Sequence, residues 1–279
     1  MYELTLATGL FLLAASFFAG FVDSIAGGGG LIQLPALLIG LPNSSTAEVL
    51  GTNKLSAVFG TTTAAALYRK QIKPDPKILL GMGVPAFVGS AGGAVLASRI
   101  PTSSMRPMVL VLLIVVAIYT WFKPDLGKFE NLRHLPQQRI QIAAIAGAVI
   151  GFYDGIFGPG TGSFLMLILV VSLGYAFITA SAIAKVVNVA TNIGAILVFG
   201  LNGAVIWQIG IILGVANISG AIVGSRLAIK GGSTLVRKVF LVVTLALIIK
   251  VGIETFYSLA LHFSHNLIER RNLWPLRIQ

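Results

Sequence analysis

Apolar residues in this chain come in long blocks, each broken by a short polar or glycine-rich stretch. The blocks cover residues 4–25, 46–68, 78–98, 105–123, 140–157, 162–200, 204–229 and 235–261. A membrane-crossing helix needs about 20 apolar residues, and most blocks have that length. The block at 162–200 is too long for one crossing and predicts a short segment followed by a full helix. Two further places raise a question. "GFVDSIAGGGG" at 20–30 and "GFYDGIFGPGTG" at 151–162 each set an aspartate in apolar surroundings just ahead of a glycine run.

Composition settles what the blocks are. Of 279 residues, 56% are apolar and only 10% charged, and mean hydropathy is +0.91. A soluble domain carries about 25% charged residues. The expected fold class is an all-α polytopic membrane protein. The first block has only Glu3 ahead of it, no Lys or Arg, and no clear small-x-small cleavage pattern, so it reads as a retained membrane helix. There is no cysteine, which excludes disulfides and cysteine-based metal sites. The net charge of +11 resides in short loops: Arg69, Lys70, Lys73 and Lys77; Lys123, Lys128, Arg133 and Arg139; Arg226, Lys230, Arg237 and Lys238. That is the positive-inside bias plus attraction to anionic headgroups, so membrane lipids are expected partners and nucleic acid is not.

An ungapped shift of 131 residues lays the chain on itself. Gly20-Phe21 falls on Gly151-Phe152, Asp23 on Asp154, Ile25 on Ile156, Gly27 on Gly158 and Gly29 on Gly160. Lys54 falls on Lys185, Gly89 and Gly93 on Gly220 and Gly224, Leu96-Ala97 on Leu227-Ala228, and Arg106 on Arg237. Shared greasiness can align Leu with Leu, but it does not align two rare intramembrane charges. The reading is two repeats, 1–130 and 131–279, joined through the polar linker 123–139. Repeats of this kind are the usual build of secondary transporters. Four basic residues at 69–77 face none at 200–207, while two at 99–106 face four at 226–238. This exchange favours inverted topology, although the basic tail Arg270, Arg271 and Arg277 counts against it.

In hydrocarbon every backbone N–H and C=O needs a partner. A glycine break is therefore tolerated only where protein packs on it or a wet cavity faces it. The segments that follow, "LIQLPALLIGLP" and "SFLMLILVVSLG", are shorter than a full span and predict half-helices. Each would turn its N-terminal N–H groups and positive dipole end inward, a setting that favours an anion. Close packing of helices through small residues is the competing reading. It is the preferred one for Gly89/Gly93, Gly210/Gly214 and Gly220/Gly224.

Asp23, Asp154, Lys54 and Lys185 fall inside predicted spans. Such charges cost about 2.5–3.5 kcal/mol each on insertion scales, so each needs a partner or a function. Lys185, Asn188 and Asn192 share one helix face; the first repeat offers Lys54, Ala57 and Thr61 there, and has Asn53 where the second has Ala184. Either the Asp and Lys side chains neutralise one another, or the lysines meet an anionic substrate while the aspartates carry protons or gate the lysines. Lys250 and Glu254, four apart, read as an intrahelical ion pair. "GPGTGS" at 158–163 resembles part of a phosphate-binding loop but has Ser163 where the lysine is needed and lies between apolar segments, so nucleotide binding is not expected. His134, His262 and His265 lie at span ends or in loops and no nucleophile–base pair is visible, so an enzyme is not expected.

The motifs "AGFVDSIAGGGGL…LPALL", "TNKL", "GFYDGIFGPGTGSF" and "AKVVNVATNIG" resemble the sulfite exporter TauE/SafE family of bacterial membrane proteins. The resemblance covers essentially the whole chain. It implies a multi-pass plasma (inner) membrane transporter of two repeats, associated with export of sulfite, sulfoacetate or related organosulfur anions. The family motif falls on Asp23, Gly27, Gly29, Asn53 and Lys54, then on Asp154, Gly158, Gly160, Lys185 and Asn188. Gly28 against Pro159 and Gly30 against Thr161 are the departures from symmetry. The resulting expectation is a secondary transporter for a small anion, with proton-coupled export, and a passive anion channel as the alternative. Candidate substrate-binding residues are Lys54, Lys185, Asn53, Asn188, Asn192, Gly27, Gly29, Gly30, Gly158, Gly160 and Thr161, with Asp23 and Asp154 coupling or gating. No catalytic residue, metal or cofactor is expected, and a homodimer is an open option.

Overall fold

The computed structural model describes residues 5–97 and 129–273, and all regular structure among them is helical. The helices are α1 (Leu6–Ala26), α2 (Gly30–Gly40), α3 (Thr46–Gln71), α4 (Pro76–Ala97), α5 (Pro136–Ile156), α6 (Thr161–Val171), α7 (Phe177–Leu201) and α8 (Trp207–Leu273). The last is two helices joined at a kink, where Gly232 takes φ 60° and ψ −163°. The long block divides as its length requires, into the 11-residue α6 and the 25-residue α7. The block at 105–123, Arg106 and linker residues 123–128 lie outside the described residues, as do the side chains of Lys250, Glu254, His262 and His265.

Among the described residues five helices are long and apolar enough to cross a membrane: α1, α4, α5, α7 and Trp207–Val242 of α8. α3 matches them in length, with 26 residues, but is more polar. Its polar positions Thr52, Asn53, Lys54, Ser56 and Thr61 are buried, so they face protein and not lipid. A box closes its first turn: Ser45 accepts from the Glu48 N–H, and the Glu48 carboxylate accepts from the Ser45 N–H.

The packing is that of a protein whose solvent is hydrocarbon. Large apolar side chains such as Leu80, Val84, Val88, Ile145 and Val149 point outward, while small residues line the contacts. A Cβ on Gly89 would sit 2.3 Å from the Ala148 carbonyl oxygen, and one on Gly220 would sit 1.9 Å from that of Phe17. Small residues let helices approach to backbone contact, the main source of attraction when lipid tails are as apolar as leucine.

Two apolar cores stack along the bundle. One gathers Ile25 and Ala26 from the end of α1 and Tyr68 from the end of α3. It adds Ile78, Ala143 and Phe177 from the starts of α4, α5 and α7. The other gathers Leu12 and Leu50 from the starts of α1 and α3 with Ala97 and Phe199 from the ends of α4 and α7. So α1 and α3 run one way, and α4, α5 and α7 the other. α8 follows α1, with Leu213 at Ser16 and Gly224 at Phe21.

Candidate functional site

α1 ends because Gly27 turns left-handed (φ 80°, ψ 23°), its N–H donating to the Asp23 carbonyl oxygen. α5 ends at Ile156, and the chain passes through left-handed Gly158 (φ 85°) and Gly160 (φ 81°) before α6 begins. Only glycine takes that conformation at little cost. Gly29 is needed for another reason: its φ is −58°, but a Cβ there would lie 2.5 Å from the Ala19 carbonyl oxygen. Gly30 has ordinary room, with Pro159 at 3.6 Å from its ideal Cβ.

The two breaks lie back to back. A Cβ on Gly27 would reach 2.3 Å from the Gly162 carbonyl carbon, and the Ser163 hydroxyl donates to the Ala26 carbonyl oxygen (2.7 Å). Each break holds its own aspartate at the start of the half-helix. Asp23 Oδ1 accepts from the Gly29 N–H at 3.4 Å. The Thr161 hydroxyl lies 2.7 Å from both Asp154 Oδ1 and the Gly158 carbonyl oxygen and donates to one of them. A carboxylate suits this place, where the positive end of a helix dipole points.

The lysines reach across from the other half. Lys54 Nζ is 2.6 Å from Asp154 Oδ1, and Lys185 Nζ is 3.0 Å from Asp23 Oδ2 while also donating to the Asp23 backbone carbonyl. Side-chain exposure is 3% and 2% for the first pair and 0% and 14% for the second. Each buried charge thus has an opposite charge beside it, the arrangement in which the Asp and Lys side chains neutralise one another. In the first pair, Gly158 also makes the room: a Cβ on it would stand 2.7 Å from the Lys54 ammonium.

The asparagines are less settled. Asn188 Oδ1 lies 3.1 Å from the Thr191 hydroxyl. Asn53 Oδ1, Asn192 Nδ2 and Asp154 Oδ2 are buried and find no hydrogen-bond partner among the described residues. They sit on α3, α7 and α5, the helices that carry Lys54, Lys185 and Asp154. A buried polar atom left unpaired costs about 1–3 kcal/mol, so these three atoms, one of them on the carboxylate paired with Lys54, hold unspent hydrogen-bonding capacity. Thr61, at the position matching Asn192, turns back to its own helix and donates to the Ala57 carbonyl oxygen (2.9 Å). α3 buries Thr52, Asn53, Ser56 and Thr61 along with Lys54, and α7 buries Ser181, Asn188, Thr191 and Asn192 along with Lys185. No group of three metal-ligating His, Cys, Asp or Glu side chains occurs among the described residues.

Two polar clusters escaped the sequence reading. Beside Asp23, the Tyr68 hydroxyl donates to the Ser24 carbonyl oxygen (3.0 Å), and Ser181 lies 3.2 Å from the Tyr68 hydroxyl. The available signal was that Ser181 precedes Lys185 by one helical turn. Further along, Gln33 of α2 donates to Ser56 (2.6 Å) and Ser16 (3.3 Å) and accepts from Asn217 (3.1 Å). These four residues come from four helices, so no local pattern joins them.

The family profile described as "Sulfite exporter TauE/SafE" matches residues 12–251. The chain belongs to that family. It is 38% identical over 256 residues to the "Probable membrane transporter protein ORF9" of Sinorhizobium sp, covering 91% of this chain and 96% of that one. It is also 38% identical to the "Probable membrane transporter protein YfcA" of Escherichia coli strain K12, over 90% of this chain and 94% of that protein. A "Probable membrane transporter protein" of Haemophilus influenzae is 34% identical over 84% of this chain and 90% of its own length. No solved structure matches. The family and these relatives make the protein a multi-pass bacterial membrane transporter and not an enzyme. In this transporter the paired Asp and Lys motifs meet at one place, where the two chain breaks lie back to back.

Proposed function

We propose that the protein is a secondary transporter for a small anion of the sulfite, sulfonate or related organosulfur class, built from two inverted repeats and coupled to protons. The observation that carries this reading is the crossed pairing: Lys54 with Asp154 and Lys185 with Asp23. Each lysine belongs to one half and each aspartate to the other, so the pairs hold the halves together and can also release them. Support for the repeats comes from the element boundaries. α2, α3 and α4 begin at Gly30, Thr46 and Pro76, and adding 131 gives Thr161, Phe177 and Trp207, where α6, α7 and α8 begin. The matched helices α1 and α5, and α3 and α7, run in opposite directions.

The chemistry follows from the resident carboxylate. Each aspartate already occupies the anion-favouring end of a half-helix and neutralises a lysine. A substrate anion binds there only by replacing that carboxylate. A proton on the aspartate removes its charge and frees the ammonium, so proton and anion bind together with the charge of the site conserved. Lysine suits the exchange because its ammonium is a compact charge with three donors on a flexible stem. Asn53, Asn188 and Asn192 are placed on the same helices to complete the hydrogen bonds of an oxyanion.

Counterflow tests the reading. Proteoliposomes preloaded with an unlabelled sulfonate should transiently accumulate the labelled compound, and an imposed pH gradient should change the accumulated amount. Equilibration without accumulation, unaffected by preloading, would identify a passive channel and end the transporter proposal.

A further inference from the structure

At the basic end of the bundle a cavity of about 420 Å³ opens between α3 and α8, lined by Leu67, Lys70, Gln71, Arg226, Ile229 and Lys230. Three of the six are cations and none is acidic. Leu67 and Ile229 are half-buried, while Lys70, Arg226 and Lys230 are exposed at the rim. On α8, Val223 lies three residues before Arg226 and Leu227 three before Lys230, hence on the same face, and they are 49% and 43% exposed. An outward apolar stripe thus leads into a cationic cup.

We propose that this cup binds the phosphate of an anionic phospholipid. The apolar stripe separates a lipid from a free anion: one acyl chain lies along Val223 and Leu227 while the headgroup meets Lys70, Arg226 and Lys230. Arg69, Lys73 and Lys77 belong to the same end of the chain's fold, and the positive-inside rule puts such an end on the cytoplasmic side. There a basic pocket between helices suits an acidic headgroup. The site lies outside the duplicated machinery, because Leu201 and Val95 stand 131 residues from Lys70 and Arg226.

The test uses the purified full-length protein in detergent, titrated with phosphatidylglycerol, phosphatidylcholine or glycerol 3-phosphate, with adducts read by native mass spectrometry. Phosphatidylglycerol should bind about tenfold or more tighter than phosphatidylcholine. That preference should vanish in Lys70→Gln/Arg226→Gln/Lys230→Gln and survive in Arg69→Gln/Lys73→Gln/Lys77→Gln, which removes equal charge nearby. Size-exclusion profile and lipid-free melting check folding, and the single Arg226→Gln change serves if the triple variant misfolds. Equal binding of the two lipids, or loss of preference in both triple variants alike, would overturn the proposal. So would glycerol 3-phosphate competing as well as the intact lipid, which would mark a soluble-anion site. None of these readouts depends on the transport proposal.

Discussion

At the scale of the residue, the two ion pairs are alike in chemistry but differ in access. Asp23 is 14% exposed, and the Lys54–Asp154 pair is sealed. Lys185 also has Asn188 and Asn192 at the spacings where Lys54 has Ala57 and Thr61. Lys185→Met keeps the apolar stem and removes the charge, so it should weaken sulfonate binding by more than about tenfold, or 1.4 kcal/mol. Lys54→Met should cost less. Calorimetry on the detergent-purified variants, with folding checked by size exclusion, decides this; unchanged affinity in folded Lys185→Met would leave the lysine purely structural. The aspartates separate coupling from scaffolding. If Asp23 carries the coupled proton, an imposed pH gradient should drive sulfonate accumulation in wild-type proteoliposomes and should not drive it in Asp23→Asn. Removing one partner of a buried pair costs about 3–5 kcal/mol. If the pair is only structural, Asp23→Asn should therefore melt early, and adding Lys185→Met should restore the melting temperature.

At the scale of the element, the two half-helices are docked by different physics. α2 is held by Gln33, whose amide bonds to Ser16, Ser56 and Asn217, all buried. The positions matched by the 131-residue shift are Gly147, Phe164, Val187 and Ala86, so α6 has at that place an apolar Phe164, edge-on to Tyr153 with ring centroids 5.5 Å apart. Gly20 and Gly60 leave space for the Asn217 amide, since a Cβ on either would come within 2.8 Å of its Oδ1. Gln33→Leu fills a similar volume but strips partners from Ser56 and Asn217. It should lower stability by about 1–3 kcal/mol, the cost of polar groups left unpaired. Adding Asn217→Leu should cost less than the sum of the single changes, because the two share one network. Melting curves in detergent check both expectations, and strict additivity would show that the network is not coupled.

At the scale of the whole molecule, the exchange of partners between halves is the organising feature. α1 packs on α8 as α5 packs on α4. Gly20 meets Asn217 as Gly151 meets Ala86, and both partners are related by the same 131-residue shift. Inverted repeats predict that the loops after α3 and α7 open on opposite sides of the membrane. Lys73→Cys and Asn202→Cys, both at exposed positions, should therefore label from opposite sides with an impermeant maleimide in oriented vesicles. Labelling from the same side would require parallel repeats.

The sequence by itself determined the class, the helices and the breaks, because in hydrocarbon these follow from local composition. Apolar length marks a crossing, and a glycine run marks where a helix must stop. The proposed repeat rests on a similar reason: a buried charge is rare enough that the 131-residue shift could set Asp23 and Lys54 on Asp154 and Lys185 without structure. Only the tertiary fold decided which lysine meets which aspartate. Within one half, Asp23 and Lys54 look like natural partners. The fold instead pairs each with the other half, because the two breaks lie back to back and bring α7 to Asp23 and α3 to Asp154. Tertiary packing also joined Gln33 to Asn217, 184 residues apart. Hydrogen bonds of that span leave no periodicity in a chain, since what selects them is the cost of an unpaired amide in a dry interior.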